Sequence, residues 1–382
     1  MKIVHLCLAS FYIDNYSYQE NLLPKYHKLA GHDVTIIASL VSFSNKGKNI
    51  LLDREAEYNT AEGCKVYRMD YRHPFYAINK RFRKYTKLES LLNKEAPDLI
   101  FIHGVQFADI LSVIKYKEKN PKTRLLCDNH ADWINSARGF LSKNILHKVI
   151  WKYYAKKAEP YIDKFYGVTP VRCEFLSKMY GIPASKIELL VMGVDDKIIP
   201  SQLERNNIKK RIRKELHLNN NDFLIITGGK IDSNKNIHIL ADVLAKYQNI
   251  HLIIFGNVLP EMKEMMDIYF KKANIHYVGW LDSRQTTEYF IASDLAFFPG
   301  THSVLWEQAV GIGIPAVFKH WEGMEHVDVG GNCRFLYENT HKEIETVIEE
   351  LTSNDEEYSE MKKLAEINAL KFYYSDIANR VL

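Results

Sequence analysis

The sequence predicts an α/β protein of two domains, each a parallel sheet with helices on both faces. Short apolar runs alternate with stretches of helical periodicity along all 382 residues, a pattern that closes into parallel sheets. A chain of that length exceeds what one ordinary core organises. Within it, residues 294–331, DLAFFPGTHSVLWEQAVGIGIPAVFKHWEGMEHVDVGG, read as a complete strand-loop-helix-strand unit.

In that unit, residues 295–298 form an apolar, aromatic run stopped by Pro299-Gly300, which is the pattern of a buried strand entering a tight loop. Ser303 is placed to cap a helix from Val304; Gly311, Gly313 and Pro315 end that helix before a second apolar run at 316–318. Helix N-termini at the carboxyl ends of parallel strands are where open α/β sheets take ligands. Glu307, in the first turn, either reaches a polyol held above that edge or merely suits the positive end of the helix dipole.

Elsewhere, residues 2–8 read as the first strand. The opening MKIVHLCLAS is not a signal peptide, because its apolar core is short, contains His5 and lacks a small-residue cleavage pattern. An aromatic loop with Phe11, Tyr12 and Tyr16 leads through Tyr18 into helical spacing over 17–29, and Gly31-His32 precedes a strand at 34–38. Further strands are expected at 65–69, 99–103, 124–127, 164–168 and 187–191. A hydrophilic connector, 196–222, contains a charged helix at 208–218, and strands follow at 223–227, 251–255 and 275–278. One last helix is expected over 361–382. No repeat of 20 to 50 residues is present, so solenoids are excluded.

Hydrophobic residues at 46% and charged residues at 26% are those of a folded globular protein. Cys7, Cys64, Cys127, Cys173 and Cys333 are scattered and form no Cys-x-x-Cys, which argues against a disulfide framework or zinc site and fits a reducing cytoplasm. No window approaches the roughly 20 apolar residues of a spanning helix. The net charge of +4 divides into +10 over residues 1–195 and −6 beyond, so the front half should seek anionic surfaces. Two stretches there, 71–87 and 139–157, mix basic and aromatic residues. They fit helices lying on an anionic membrane, and equally solvated helices packed on a sheet. No nucleic-acid motif accompanies the charge, so nucleic acid is not an expected partner.

Two polar segments can carry chemistry. GGKIDSNKN, residues 228–236, follows a strand and precedes a helix; Gly228 and Gly229 let backbone approach a phosphate, and Lys230 and Lys235 flank it with charge. DNHAD, residues 128–132, ends a strand of the first domain. It either serves a ligand through His130 or caps a helix near Trp133.

WEQAVGIGIPAV, residues 306–317, resembles the "lEAmA.G.PVV" segment of the retaining family 4 glycosyltransferases, glycosyl transferases group 1, of the GT-B fold. GGKIDSNKN is similar to their "GRL...KG", MGVD at 192–195 to "pNGVD", and GHDVTIIAS at 31–39 to their first β-α-β unit. The resemblance implies two Rossmann-like domains with parallel sheets facing a central cleft. Residues 1–195 would bind the acceptor, with a helix at about 361–382 packing back on them, and 196–360 would bind a nucleotide sugar. It further implies transfer of a sugar from a nucleoside-diphosphate donor, with retention and no required cofactor or metal, to a saccharide or lipid-linked acceptor. The basic, aromatic front domain points to a lipid-linked saccharide at the inner membrane face, so the expected location is the cytoplasm, either free or peripheral on that face.

Residue by residue, Lys230 takes the arginine position, Lys235 the lysine position and His130 the histidine facing the sugar, oriented by Asp128 or Asp132. Of the family's two glutamates, the ribose-binding one matches Glu307, while the sugar-binding one falls on Pro299. His302 is the candidate to replace it. Gly228, Gly229, Gly300, Thr301, Ser303 and Glu325 complete the donor side; Tyr16, Tyr18, His103 and Asp132 are placed on the acceptor side. The family's Gly-Gly pair in the first loop is missing. A nucleotide-sugar epimerase of the same fold, or a non-catalytic binding partner, are the rival readings.

Overall fold

The computed structural model describes residues 1–9, 11–43 and 49–382; Ser10 of the aromatic loop lies outside them. The chain divides into two compact units, Met1–Val191 with Ile377–Leu382, and Met192–Asp376. The breaks therefore fall at 191/192 and 376/377, where the sequence reading set them at 195/196 and 360/361. Only the last six residues return to the first unit, because Met361 is buried in the second unit's core, against the side of its sheet that carries Leu295 and Phe297. The expected single helix over 361–382 is a helix Asp355–Asn368, a 3-10 turn Ala369–Phe372 and a short helix Tyr374–Asn379.

In the first unit the strands are β1 (Lys2–Cys7), β2 (Asp33–Ser39), β3 (Val41–Phe43), β4 (Asn49–Leu51), β5 (Ala56–Asn59), β6 (Lys65–Met69), β7 (Leu99–His103), β8 (Arg124–Asn129), β9 (Lys164–Gly167) and β10 (Ile187–Leu189). Eight form one sheet in the order β10-β9-β8-β7-β1-β2-β6-β5. All neighbours in it are parallel except the outer β5-β6 pair. β7 reads LIFIH and is wholly buried, as a strand covered on both faces must be. The second unit has β11 (Phe223–Ile231), β12 (Ile250–Val258), β13 (Ile275–Gly279), β14 (Leu295–Phe298), β15 (Ala316–Lys319) and β16 (Cys333–Leu336), in the parallel order β13-β12-β11-β14-β15-β16.

Two expectations change. The connector helix spans Gln202–Glu215 rather than 208–218, because Ser201 and Glu204 form a reciprocal capping box that starts it earlier. β11 runs through Gly228-Gly229-Lys230, which were read as a loop: each pairs in register with β12, as Phe255, Gly256 and Asn257. Two glycines make that possible. A Cβ on Gly256 would lie 1.9 Å from the Gly229 carbonyl oxygen, and both glycines hold positive φ.

Candidate active site

In the second unit, β14 delivers the chain into the loop 299–304, and the following helix, Leu305–Ile312, points its first turn at the same sheet edge. Ser303 does not cap it. No side chain caps this helix, and the Ser303 hydroxyl is buried without a hydrogen-bond partner. The loop is instead tied to the turn after β11. Thr301 N–H donates to the Asn234 carbonyl at 3.1 Å, Lys235 Nζ donates to the Thr301 and His302 carbonyls at 2.6 and 3.3 Å, and Asn236 donates to the Pro299 carbonyl at 3.2 Å.

Gly300 is what lets the two segments touch, since a Cβ there would stand 2.3 Å from the Lys235 Cα. Burial pushes the Lys235 ammonium down to about 8, Lys230 adds to the effect and Asp232 opposes it. Lys230 itself is exposed, its Nζ 4.0 Å from Asp232. Gly228 and Gly229 lie on β11, and a Cβ on Gly229 would stand 3.2 Å from the Leu305 side chain.

Glu307 is completely buried. Its Oε1 accepts from His302 Nε2 at 2.8 Å and from His326 Nε2 at 2.9 Å, while Oε2 has no partner. Burial raises the carboxyl's pKa, but the two imidazoles outweigh it and hold the group well below the usual carboxylate range. An ionised acid with one buried oxygen unoccupied is equipped to accept from a hydroxyl. Pro299 is buried at the end of β14, so no carboxylate stands where the resemblance would put the second one. Glu325 is directed elsewhere, to His320 at 2.9 Å.

In the first unit, β7 and β8 end side by side, with His103 opposite Asp128 in the register. His130 Nε2 stands 3.3 Å from Asp128 Oδ2 and 3.8 Å from Glu20 Oε1. Burial disfavours the His130 cation, yet the two carboxylates outweigh it and raise its pKa. The neighbour that sets His130 is thus Asp128. Asp132 is used otherwise: one oxygen accepts from the N–H groups of Ile134 and Asn135, the other pairs with Arg172 at 3.0 Å. His103 is wholly buried and bonds Asp128 at 2.8 Å. Tyr16 and Tyr18 have ring centroids 5.3 Å apart, tilted by 40°, in the loop before helix Gln19–Leu29, and Tyr18 is exposed.

His302, Glu307 and His326 bring their ligating atoms within 4.8 Å of one another, as do Glu20, His103 and His130. In both groups imidazoles sit against a carboxylate, Glu307 or Asp128, so we read them as ion-paired clusters rather than metal centres. His326 and Glu20 escaped the sequence reading. His326 lies 19 residues beyond Glu307, and no periodicity links them. Glu20 follows the helix start by one residue, where acids are common.

The sequence matches Glycosyl transferases group 1 over residues 208–367 and Glycosyltransferase Family 4 over residues 18–197. The chain belongs to these glycosyltransferases. No curated protein matches it in sequence. Many solved structures resemble it, among them the following three, which do so along nearly the whole chain. Sucrose-phosphate synthase from Thermosynechococcus elongatus is 13% identical with a TM-score of 0.69, covering 100% of this chain and 97% of that one. Anabaena HepE in complex with UDP is 15% identical with a TM-score of 0.68, covering 100% and 98%. WaaG, a glycosyltransferase involved in lipopolysaccharide biosynthesis, is 12% identical with a TM-score of 0.64, covering 99% and 98%. At such identities the likeness speaks for the fold, which is GT-B.

Proposed function

We propose that this glycosyltransferase moves a hexose from a nucleoside-diphosphate sugar to a lipid-linked saccharide, with retention of anomeric configuration. The observation that carries the reading is Glu307: an ionised, fully buried carboxylate with Oε2 unoccupied, in the same unit as the Lys235 turn tied to its own loop. Glu307 accepts from ribose hydroxyls. Lys230 and Lys235 lie along the diphosphate and counter the charge that builds as its oxygen leaves the anomeric carbon with the bonding electrons. The acceptor hydroxyl forms the new bond, and its proton passes to the departing diphosphate. His130, whose pKa Asp128 and Glu20 raise against the effect of burial, donates to the sugar. HepE's complex with UDP supports a uridine nucleotide as the first donor to try.

A lipid-linked acceptor is supported by the surface of the first unit. Leu141, Ile145, Val149 and Tyr153, spaced four apart, are 68, 47, 60 and 53% exposed, and Phe140 is 76% exposed. They lie on or just before the π-helix Ser142–Trp151 and the helix Lys152–Ala158, whose inner side buries His147, Trp151, Ala155 and Ala158. Lysines 143, 148, 156 and 157 are exposed around them. Among the described residues no helix is long and apolar enough to cross a membrane. An exposed apolar face flanked by lysines suits lying on one.

Calorimetry with UDP, GDP, ADP, CDP and TDP tests the donor half, and transfer from the matching sugar nucleotide, followed by NMR of the anomeric proton, tests the rest. Binding of one diphosphate with transfer and retention is expected. Failure of all five to bind overturns the donor site, and product from donor alone points to an epimerase.

A further inference from the structure

Behind Asp128 lies a file of histidines that the transfer reading does not use. His27 Nε2 faces the Ala378 carbonyl at 3.2 Å, His27 Nδ1 faces His5 Nε2 at 3.0 Å, His5 Nδ1 faces His103 Nε2 at 3.1 Å, and His103 Nδ1 faces Asp128 Oδ2 at 2.8 Å. All three rings and Asp128 are at 0% exposure, so water completes none of these contacts. The strands explain the alignment. His5 on β1 is level with Phe101 on β7, which puts it on the face that His103, two residues on, also presents. Helix Gln19–Leu29 lays His27 over that face, and Ala378 closes the file from the returning C-terminal helix.

The ends of the file decide how many protons it holds. A carbonyl only accepts, so His27 carries its proton on Nε2 and leaves Nδ1 bare. His5 must then donate from Nε2 and leave Nδ1 bare, and His103 must do the same. A neutral His103 would therefore turn a bare Nδ1 toward a carboxylate oxygen 2.8 Å away, lone pair against lone pair. Three neutral imidazoles supply one proton too few for the four bonds.

We propose that the missing proton is on His103, making it a buried imidazolium paired with Asp128, and that this pair positions Asp128 and, through it, His130. His103 is the place for it because burial drives the cation off the neighbouring rings: His27 is pushed down to about 4 and His5 well below its ordinary value. Asp128 is not the place, since His103 and His130 outweigh its burial and keep it ionised. Its Oδ2 also accepts from Gln19 Nε2 at 2.9 Å. Besides these, the groups facing the pair are Glu20 from helix Gln19–Leu29, the thiols of Cys7 on β1 and Cys127 on β8, whose pKa values burial raises well above the ordinary one, and, toward His130, Arg172 from helix Pro170–Tyr180, itself bound to Asp132. His5, His27 and His103 are thus positioning residues, and the part of the inference concerning His130 rests on the transfer reading.

The test begins with the full chain labelled with ¹⁵N histidine and long-range ¹H–¹⁵N correlation of the rings from about pH 6 to about pH 9, well across the ordinary histidine titration. One ring, identified by its loss in His103→Asn, is expected to show both nitrogens protonated throughout. Rings that all show one protonated and one bare nitrogen at the upper pH overturn the proposal. His5→Phe removes the acceptor for His103 Nε2–H, frees His103 to become the neutral Nδ1–H tautomer, and should abolish the signal. His5→Gln can accept from His103 and donate to His27, and should retain it. If His5→Phe does not fold, the wild-type pH series and His5→Gln still decide. In transfer assays His5→Phe should move the His130 limb of the kcat/KM profile to higher pH, since Asp128 loses a counter-charge, with Kd for UDP within about twofold. An unmoved limb overturns the positioning role. Absence of transfer in the wild type sinks the transfer reading while leaving the spectroscopic result to stand.

Discussion

His326 donates to Glu307 at 2.9 Å from 19 residues further along the chain, and the bond fixes a buried carboxylate that nothing on its own helix holds. Replacing the donor by His326→Phe keeps a ring in place but leaves the Glu307 charge with one imidazole. Unfolding in urea at pH 7 should then cost about 1.5–3 kcal/mol less than in the wild type, the usual worth of a hydrogen bond to a charged group. The carboxyl's pKa is depressed in the fold, so its contribution is complete above the ordinary glutamate value, roughly 4.3, and is lost as pH falls through the depressed one. The difference between wild type and variant should hold down to about pH 5 and shrink below about pH 4.

Glu307 itself was legible, because an acid in the first turn of a helix after a buried strand is a local pattern. Its partners were not. His302 was read as a substitute for the absent glutamate, whereas its Nε2 is spent on Glu307. The histidine file was hidden for a similar reason: its members are separated by 22 to 98 positions, and only the pairing of β1 with β7 brings them together. Strands buried on both faces, such as β7 at Leu99–His103 and β6 at Lys65–Met69, were read to the residue. β5 and β16 escaped because they carry too few buried residues to make an apolar run. The Gly228-Gly229 pair was read as a loop on composition; close backbone approach with Gly256 makes it strand, and that depends on a partner about 27 residues away.

Lys235 predicts a pH dependence of nucleotide binding. Its folded pKa of about 8 lies below the ordinary lysine value, so the free protein loses the charge as pH rises through about 8. Under the proposed function, a bound diphosphate restores it. Affinity for UDP should fall between pH 7 and pH 9, and calorimetry at pH 8 in buffers of different ionisation enthalpy should show proton uptake on binding. Lys235→Met should weaken binding about tenfold or more at pH 7 and abolish the uptake. Unchanged affinity in Lys235→Met would remove this lysine from the diphosphate.

Gly300 predicts a steric effect without any change of charge. The Cβ of Gly300→Ala would fall 2.3 Å from the Lys235 Cα and 2.4 Å from the Asn234 carbonyl oxygen, and backbone cannot rotate away as a side-chain tip can. Parting the two loops should cost about 1–3 kcal/mol of stability by chemical denaturation. It should also weaken UDP binding, since the Lys235 turn and the Glu307 loop would no longer be held together. Gly139→Ala, where a Cβ meets nothing within 4 Å, is the control expected to leave UDP binding unchanged.

The exposed apolar stripe predicts membrane association that can be separated from nucleotide binding. Phe140, Leu141, Ile145, Val149 and Tyr153 are in the first unit, whereas Lys235 and Glu307 are in the second, so a change in one leaves the other's side chains in place. Burying the stripe in the acyl boundary is favourable by about 25 cal/mol per Å² of apolar area, and each flanking lysine near an anionic surface adds about 1 kcal/mol. Full-length protein should sediment with phosphatidylglycerol vesicles, far less with phosphatidylcholine, and the difference should fade as salt shortens the Debye length. Ile145→Asp with Val149→Asp puts two charges on the stripe while sparing the buried side at His147 and Trp151. It should release the protein from the vesicles with Kd for UDP unchanged. Transfer to a lipid-linked acceptor in vesicles should fall with it, and transfer to a water-soluble analogue should not. A double variant that still sediments would show that this helix is not what meets the membrane.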